Sequence, residues 1–296
     1  MSKLPSYIVR PNSEIIKKRD NVKTLSITVL LFMNLCILYG DFALAEKQKV
    51  VADKNEHGGN TIETTYEMRD EQYGNVRKSI SYLDSNQKIV KIEYLYTEAY
   101  TREHGFYRAI SFFDNYQKMT RIEYFYTETY ENEKGSNKKI TYFDSDEKLT
   151  REDRYYTDRF TSVQGYDKKI TYFDNSEKIA RIEYFYIDTY VNKHGCYKVV
   201  SYFDSNERLN REERYYTDKF ATEKGSDKKI SYFDNNEKIE RIESYYTDKF
   251  AREQGFNKVI GFLDSNEKVT KVEYYLNKKL VQNRCPSGTA QRRIMP

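Results

Sequence analysis

Residues 168–195 read KKITYFDNSEKIARIEYFYIDTYVNKHG, and related copies of this unit recur along most of the chain every 30 residues. The period is clearest in an aspartate that follows a pair of aromatic or leucine residues. A fixed period without insertions indicates a tandem array of one supersecondary unit. The seven aspartates are Asp84, Asp114, Asp144, Asp174, Asp204, Asp234 and Asp264.

The second half of the unit must be either a helix or a strand. Ile239, Ile242, Tyr246 and Phe250 fall at near-helical spacing ahead of a glycine, which is compatible with a helix. The copy at 181–191 is instead dense in Ile, Tyr, Phe, Thr and Val, which favour a pleated surface. Because all copies should share one fold, the sequence predicts a strand.

The Asp-Ser-Asn-Glu-Lys segment then predicts a hairpin turn, since Asn and Asp tolerate left-handed backbone angles and bond their own backbone. Each unit becomes a β-hairpin. In one copy the short strand covers roughly Arg108 to Asp114 and the long strand Lys118 to Tyr130. A looser turn through Gly135 leads to the next hairpin.

Charge patterning indicates how the hairpins assemble. In a parallel β-helix the basic column that starts at Lys78 and the acidic column that starts at Glu93 would each stack at about 4.8 Å, with like charges in contact. An antiparallel array doubles that separation. The predicted fold class is therefore all-β, with seven tandem 30-residue β-hairpin repeats in an open, twisted antiparallel meander over residues 66–280. Weak alternation between copies leaves a small β-propeller with 60-residue blades as the alternative.

The flanking segments have different compositions. Residues 1–45 combine a basic leader, an apolar run and Ala43-Leu44-Ala45, a pattern typical of a cleaved signal peptide, with a retained anchor as the alternative. Residues 46–65 are polar and predict a linker. Residues 281–296 lose the period and predict a disordered C-terminal tail.

Charge and composition exclude several classes of function. The chain has 30 Tyr, 16 Phe and no Trp, which is too aromatic for wholesale disorder. Loss of residues 1–45 removes six bases and three acids, so the formal charge falls from +4 to +1. We therefore expect no nucleic-acid partner. No membrane span is expected once the signal is removed, and the location should be periplasmic, cell-surface or extracellular.

Motifs that carry catalysis are missing from the sequence. It contains no phosphate-binding glycine loop, no nucleophile elbow and no His-Glu-x-x-His. His104 and His194 share a variable position before the repeat glycine, which is typical of a tolerated loop site. The Asp-Ser-Asn turns are too short in oxygen ligands for an EF-type calcium loop. We expect no enzyme activity, no cofactor and no metal.

One aromatic column offers a candidate ligand-binding face. Most of its rings would pack across the sheet, yet tyrosines at regular spacing also present flat amphipathic surfaces suited to sugars or proteins. Repetition would turn weak contacts into avidity. The candidate residues are Tyr96, Tyr126, Tyr156, Tyr186, Tyr216 and Tyr246.

The aromatic–Phe–Asp turn and the Glu-Tyr-x-Tyr-Thr segment resemble bacterial β-hairpin repeats of the YD and MORN-variant type over roughly residues 66–280. Those repeats usually carry glycine after the turn, as Asp-x-x-Gly-Lys/Arg, where this chain has Glu or Gln. The resemblance implies an exported or surface-associated scaffold rather than an enzyme.

Two functional hypotheses follow from these features. The first is an exported, non-enzymatic repeat protein that acts as a binding or adhesive surface, with polysaccharide or a surface protein as the partner. The second is a self-assembling matrix or coat protein without a small ligand, in which exposed sheet edges drive self-association.

Overall fold

The computed structural model describes residues 46–51, 56–66 and 75–284. The predicted signal peptide at 1–45 and the last twelve residues, 285–296, lie outside the described residues.

In the part of the chain that the structure describes, seventeen strands form one sheet, and every ladder is antiparallel and joins strands that are consecutive in sequence. The strands are β1 (Glu46–Val51), β2 (Gly58–Tyr66), β3 (Val76–Asp84), β4 (Ile89–Tyr96), β5 (Phe106–Phe113), β6 (Met119–Tyr126), β7 (Ser136–Phe143), β8 (Leu149–Tyr156), β9 (Tyr166–Phe173), β10 (Ile179–Tyr186), β11 (Cys196–Phe203), β12 (Leu209–Tyr216), β13 (Ser226–Phe233), β14 (Ile239–Tyr246), β15 (Lys258–Leu263), β16 (Val269–Leu276) and β17 (Lys279–Arg284).

Among residues 75–284, six short helices connect successive hairpins, and each is seven residues long. They are α1 (Glu98–His104), α2 (Glu128–Lys134), α3 (Asp158–Gln164), α4 (Asp188–His194), α5 (Asp218–Lys224) and α6 (Asp248–Gln254).

The open antiparallel meander predicted from the repeat is confirmed. Within the described residues, β1 pairs only with β2 and β17 pairs only with β16, so the sheet does not close. The alternative of a small β-propeller with 60-residue blades is wrong, because consecutive hairpins continue one ladder instead of forming separate blades.

The hairpin turns use their aspartate as the sequence predicts. Asp174 Oδ1 accepts hydrogen bonds from the backbone N–H of Ser176 and Lys178, at 2.8 and 3.0 Å. The residue in the left-handed region is Glu177, with φ of 58°, and not an Asn or Asp as expected. This is the position where the repeats that this unit resembles carry glycine, which adopts such angles without strain.

Contacts to the neighbouring repeat occupy the side chain at the left-handed position. Glu177 Oε1 accepts a hydrogen bond from the backbone N–H of Leu149, 28 residues earlier, at 3.0 Å. The next residue, Lys178, donates in the other direction to the Ser205 carbonyl at 2.7 Å. A glycine at 177 could not make the first contact, so Glu or Gln at this site joins adjacent turns.

The long strand predicted to reach Tyr130 is too long, since β6 ends at Tyr126 and α2 follows. Thr127 caps the helix, because its Oγ1 accepts from the Tyr130 N–H at 3.3 Å, and an acidic residue follows the cap. Gly135 then ends the helix with φ of 75°. These capping signals override the β-branched and aromatic residues that favoured a strand.

Both predicted flanking segments contribute strands. β1 and β2 lie in the stretch predicted to be a polar linker, and β2 pairs with β3, so this stretch extends the sheet. The predicted disordered tail begins with residues of β17, which pairs with β16. The turn residues Asn277 and Lys278, both with positive φ, make this last hairpin tighter than the others.

The register divides the side chains between two faces. Ile110 lies opposite Glu123, and Phe112 lies opposite Arg121, on what we call the basic face. Ser111 lies opposite Ile122 on what we call the helix face, since α1 to α6 pack there through ring contacts. Most residues in the central row of each face are buried, so a single-layer sheet holds two thin cores.

Candidate binding surfaces

The six tyrosines predicted as a ligand-binding column lie on the helix face, at the strand ends where the helices begin. Each ring stacks on the aromatic ring four residues later in its helix, with centroids 4.2–4.8 Å apart. Tyr126 is buried and the other five are partly buried. The outward ring of each stack belongs to the helix. These outer rings are Tyr100, Tyr130, Phe160, Tyr190, Phe220 and Phe250.

Burial also controls the chemistry of the column hydroxyls. It raises the pKa of Tyr216 to about 12, even though Arg214 acts in the opposite direction. Burial likewise raises the pKa of Tyr126 and Tyr186. These phenols therefore stay neutral near neutral pH, and the column serves first as the seam that holds each helix to the sheet.

Successive helices are packed together through the glycine column. A Cβ on Gly165 would lie 2.4 Å from Cδ2 of Tyr190, the ring of the next helix. Gly135 has the same relation to Phe160, at 2.2 Å. Glycine is required there for its positive φ and for this close approach. The glycine column is visible in the sequence, but its close approach to the ring of the next helix depends on contact between repeats and is visible only in the structure.

Three rows cross the basic face at right angles to the strands. The two outer rows alternate a cation with an aromatic ring. Arg181 lies over the Tyr172 ring at 3.9 Å, and Lys198 lies over the Phe185 ring at 5.1 Å. The central row alternates an aliphatic residue with a carboxylate, as in Val200 opposite Glu183.

Two bases hold each of five central carboxylates, which are Glu123, Asp153, Glu183, Glu213 and Glu243. Arg211 Nε lies 3.4 Å from one oxygen of Glu213, and Lys228 Nζ lies 2.9 Å from the other. The Tyr215 hydroxyl also donates to Glu213. Burial opposes ionisation of this carboxyl, but these donors outweigh it, so its pKa lies below the usual value. The opposite charges therefore lie diagonally and along the strand, because the direct cross-strand partner of Glu213 is Ile230.

The alternation between copies is a paired exchange on the helix face, in which two positions change residue type together from one repeat to the next. Ile182 and Tyr184 in one repeat become Glu212 and Arg214 in the next, where Arg214 Nε donates to Glu212 at 2.8 Å. The same exchange gives the pair formed by Glu152 and Arg154, at 3.0 Å. The copies thus alternate in how they fill one face.

A shallow cavity of about 430 Å³ opens beside α2. Tyr107, Phe125, Lys138 and Tyr155 are among its lining residues. Tyr107 is 45% exposed and stands at the edge of the basic face. This cavity continues the outer cation–aromatic row, and the sequence analysis did not identify it because Tyr107 occupies a variable column.

The histidines and aspartates serve local structure. The ring of His104 stacks on Tyr100 at 3.9 Å. Among the described residues, no group of three or more His, Cys, Asp or Glu side chains could hold a metal ion. Within the same ranges, no helix has both the length and the apolar character that crossing a bilayer requires.

No protein-family model matches the chain, and no curated protein matches it. Among solved structures, a chain of the Photorhabdus luminescens Tc holotoxin pore is similar at 10% identity and a TM-score of 0.19, covering 79% of this chain and 14% of that chain. A chain of TcdB2-TccC3 without its hypervariable C-terminal region is similar at 9% identity and a TM-score of 0.17, covering 77% and 13%. The chain thus spans a small part of the length of either structure.

Proposed function

We propose that this protein is an exported, non-enzymatic repeat protein whose open sheet acts as a binding or adhesive surface for polysaccharide or another cell-surface polymer. The observation that supports this function is the recurrence of one surface unit. Every repeat presents the same cation, ring and carboxylate in the same register. A periodic surface suits a periodic ligand.

Repetition supplies affinity without a deep pocket. Equivalent residues recur every second strand, at about 9.6 Å. A polymer that engages one repeat is held close to the next, so weak contacts combine into avidity. The basic and apolar leader of the sequence supports export, and the likeness of the turns to YD and MORN-variant repeats supports a surface-associated scaffold.

The direct test is retention by insoluble polymers. The protein is mixed with cellulose and with cross-linked pectate, and the bound fraction is measured by sedimentation at increasing protein concentration. We expect saturable retention by at least one of the two. Recovery of all protein in the supernatant of both, as for a non-binding protein of similar mass, would contradict a polymer-binding function.

A second function, self-assembly into a matrix, is favoured by the last strand. Within the described residues the outer edge of β17 is unpaired, and Leu280 and Val281 on it are 49% and 41% exposed. Sedimentation velocity without polymer tests it. Growth of large species with protein concentration would favour a matrix, whereas a single concentration-independent species would exclude it.

A further inference from the structure

The basic face has a charge imbalance that the overall charge conceals. In each repeat it carries two basic side chains for one carboxylate, as with Arg181, Lys198 and Glu183. The formal charge of the chain after residue 45 is only +1. Acidic residues elsewhere in the chain therefore compensate the excess that this face carries.

On the basic face the basic side chains are more exposed than the carboxylates. The side chains of Arg181 and Lys198 are 35% and 26% exposed, whereas that of Glu183 is 9% exposed. The same order holds for Arg241 and Lys258 around Glu243, at 36% and 27% against 6%. The carboxylates lie beneath the bases, so an approaching ligand meets cations first.

The rings of this face are already engaged by the cations beside them. Phe125 has Arg108 at 4.9 Å and Lys138 at 5.1 Å from its centroid, and these two bases come from the strands on either side. The ring thus stands between two cations and turns its edge outward. Stacking on a sugar face is blocked there, and charge is what the face offers.

We propose that the basic face binds an acidic polysaccharide, which names the ligand class and the surface for the polymer-binding function proposed above and rests on it. One net positive charge recurs about every 9.6 Å across the sheet. A single nucleic-acid strand carries a charge about every 3.4 Å, which is a much denser array. A uronic-acid polymer carries one carboxylate per sugar ring and is sparser, so its carboxylates on alternate sugars can match the spacing of the repeats.

Lysine footprinting of the unaltered protein tests the surface directly. The probes are soluble polygalacturonate, neutral dextran and single-stranded poly-dT, and lysines are labelled with an amine-reactive reagent with and without each probe. We expect polygalacturonate to protect the basic-face lysines. The helix lysines, which are exposed, should label equally in both conditions. The two sets are Lys138, Lys198 and Lys228 on the basic face, and Lys134, Lys193 and Lys224 on the helices.

Matched charge variants test the same claim by affinity. Changing the three basic-face lysines to Gln should weaken polygalacturonate binding about tenfold, since each exposed charge contact contributes roughly 0.5 kcal/mol. Changing the three helix lysines to Gln removes the same charge and should leave binding within about twofold. Circular dichroism checks that each variant is folded. If the basic-face variant does not fold, the lysine footprint of the unaltered protein tests the site instead.

The outcomes separate this inference from the function on which it rests. Protection of the helix lysines, or equal weakening by both variants, overturns the basic face as the site. If dextran binds as tightly as polygalacturonate, the requirement for an acidic ligand is overturned, while the polymer-binding function stands. If poly-dT binds more tightly than polygalacturonate, the assignment of a polysaccharide as the ligand is overturned. If the protein binds none of the probes, the inference is overturned. If all of the protein also stays in the supernatant with cellulose and with pectate, the proposed function is overturned.

Discussion

The two faces of the sheet use aromatic residues in opposite ways. On the helix face, Tyr186 stacks on Tyr190, and the latter ring rests against Gly165 of the preceding repeat. On the basic face, Tyr172 stacks against Arg181 and is not covered by a second layer. The first arrangement fixes each repeat to the next, and the second leaves charges at the surface. The two faces of each repeat thus separate packing from exposed charge.

Both faces of this single-layer sheet exclude water from residues in their central rows. Ile122 on the helix face is 3% exposed and Val200 on the basic face is 3% exposed, although no second sheet covers either. Helices pack on the strand ends of the helix face, and on the basic face the stems of Lys and Arg flank the central row. Loss of packing should therefore be most costly on the helix face, and loss of charge pairing on the basic face.

The largest effect is expected at the glycine beneath a helix ring. Gly165→Ala forces a non-glycine residue to φ of 84° and places its Cβ against the Tyr190 ring. We expect a loss of about 3 kcal/mol in unfolding free energy, from the backbone and overpacking costs together. Urea denaturation followed by circular dichroism measures it.

Gly255→Ala is the matched control, because φ is 79° but nothing lies within 4 Å of its Cβ. Only the backbone cost remains, about 1 kcal/mol. Equal losses in the two variants would show that the helices do not pack on one another through this column.

A smaller effect is expected from the charged pair on the helix face. Glu212→Ile alone leaves Arg214 without its carboxylate and should cost about 2 kcal/mol, because the pair is partly buried. Adding Arg214→Tyr recreates the Ile182 and Tyr184 arrangement and should restore stability to near that of the unaltered protein. Thermal unfolding of the single and double variants measures the coupling. A double variant no more stable than the single one would refute the paired exchange.

The basic face should lose stability in acid. The pKa of Glu213 lies below 4.5 in the folded protein, since donors from Tyr215 and Lys228 outweigh burial. Its contribution to stability is therefore complete above the unfolded pKa and is lost as the pH falls through the folded value. We expect the melting temperature to fall between about pH 6 and about pH 3. The fall should be smaller in Glu213→Gln.

An exposed carboxylate provides the comparison for this pH effect. Glu223 in α5 lies on the surface, and Glu223→Gln should show the same acid-induced fall as the unaltered protein. If Glu213→Gln and Glu223→Gln behave alike, the central carboxylates do not hold the basic face together.

Much of this architecture could be predicted from the repeat. The period, the turn at Asp174 and the open meander follow from local chemistry and from charge spacing. The helices were missed because Tyr, Ile and Thr were weighed by strand propensity, whereas Thr157 and Gly165 act as caps at the two ends of α3. The strands before residue 66 were missed because their polar composition hides the pairing of β2 with β1 and with β3.

The candidate surface was predicted only in part. The tyrosine column was visible in sequence, but its burial depends on a helix that the strand assignment left out. The bases and acids of the basic face were visible as columns. Their two-to-one ratio on one face requires the register that places Arg181, Glu183 and Lys198 together.

The central claim is that one unit repeats as an open antiparallel meander, and distances between spin labels test it most directly. Label pairs join Val163, which is 78% exposed, to the exposed helix residues Lys193, Glu223 and Glu253 in turn. The account predicts that the mean distance grows at each step, by about 10 Å per repeat for two strands. A distance to Glu253 equal to or shorter than that to Glu223 would show that the array turns back on itself, and would contradict the open meander.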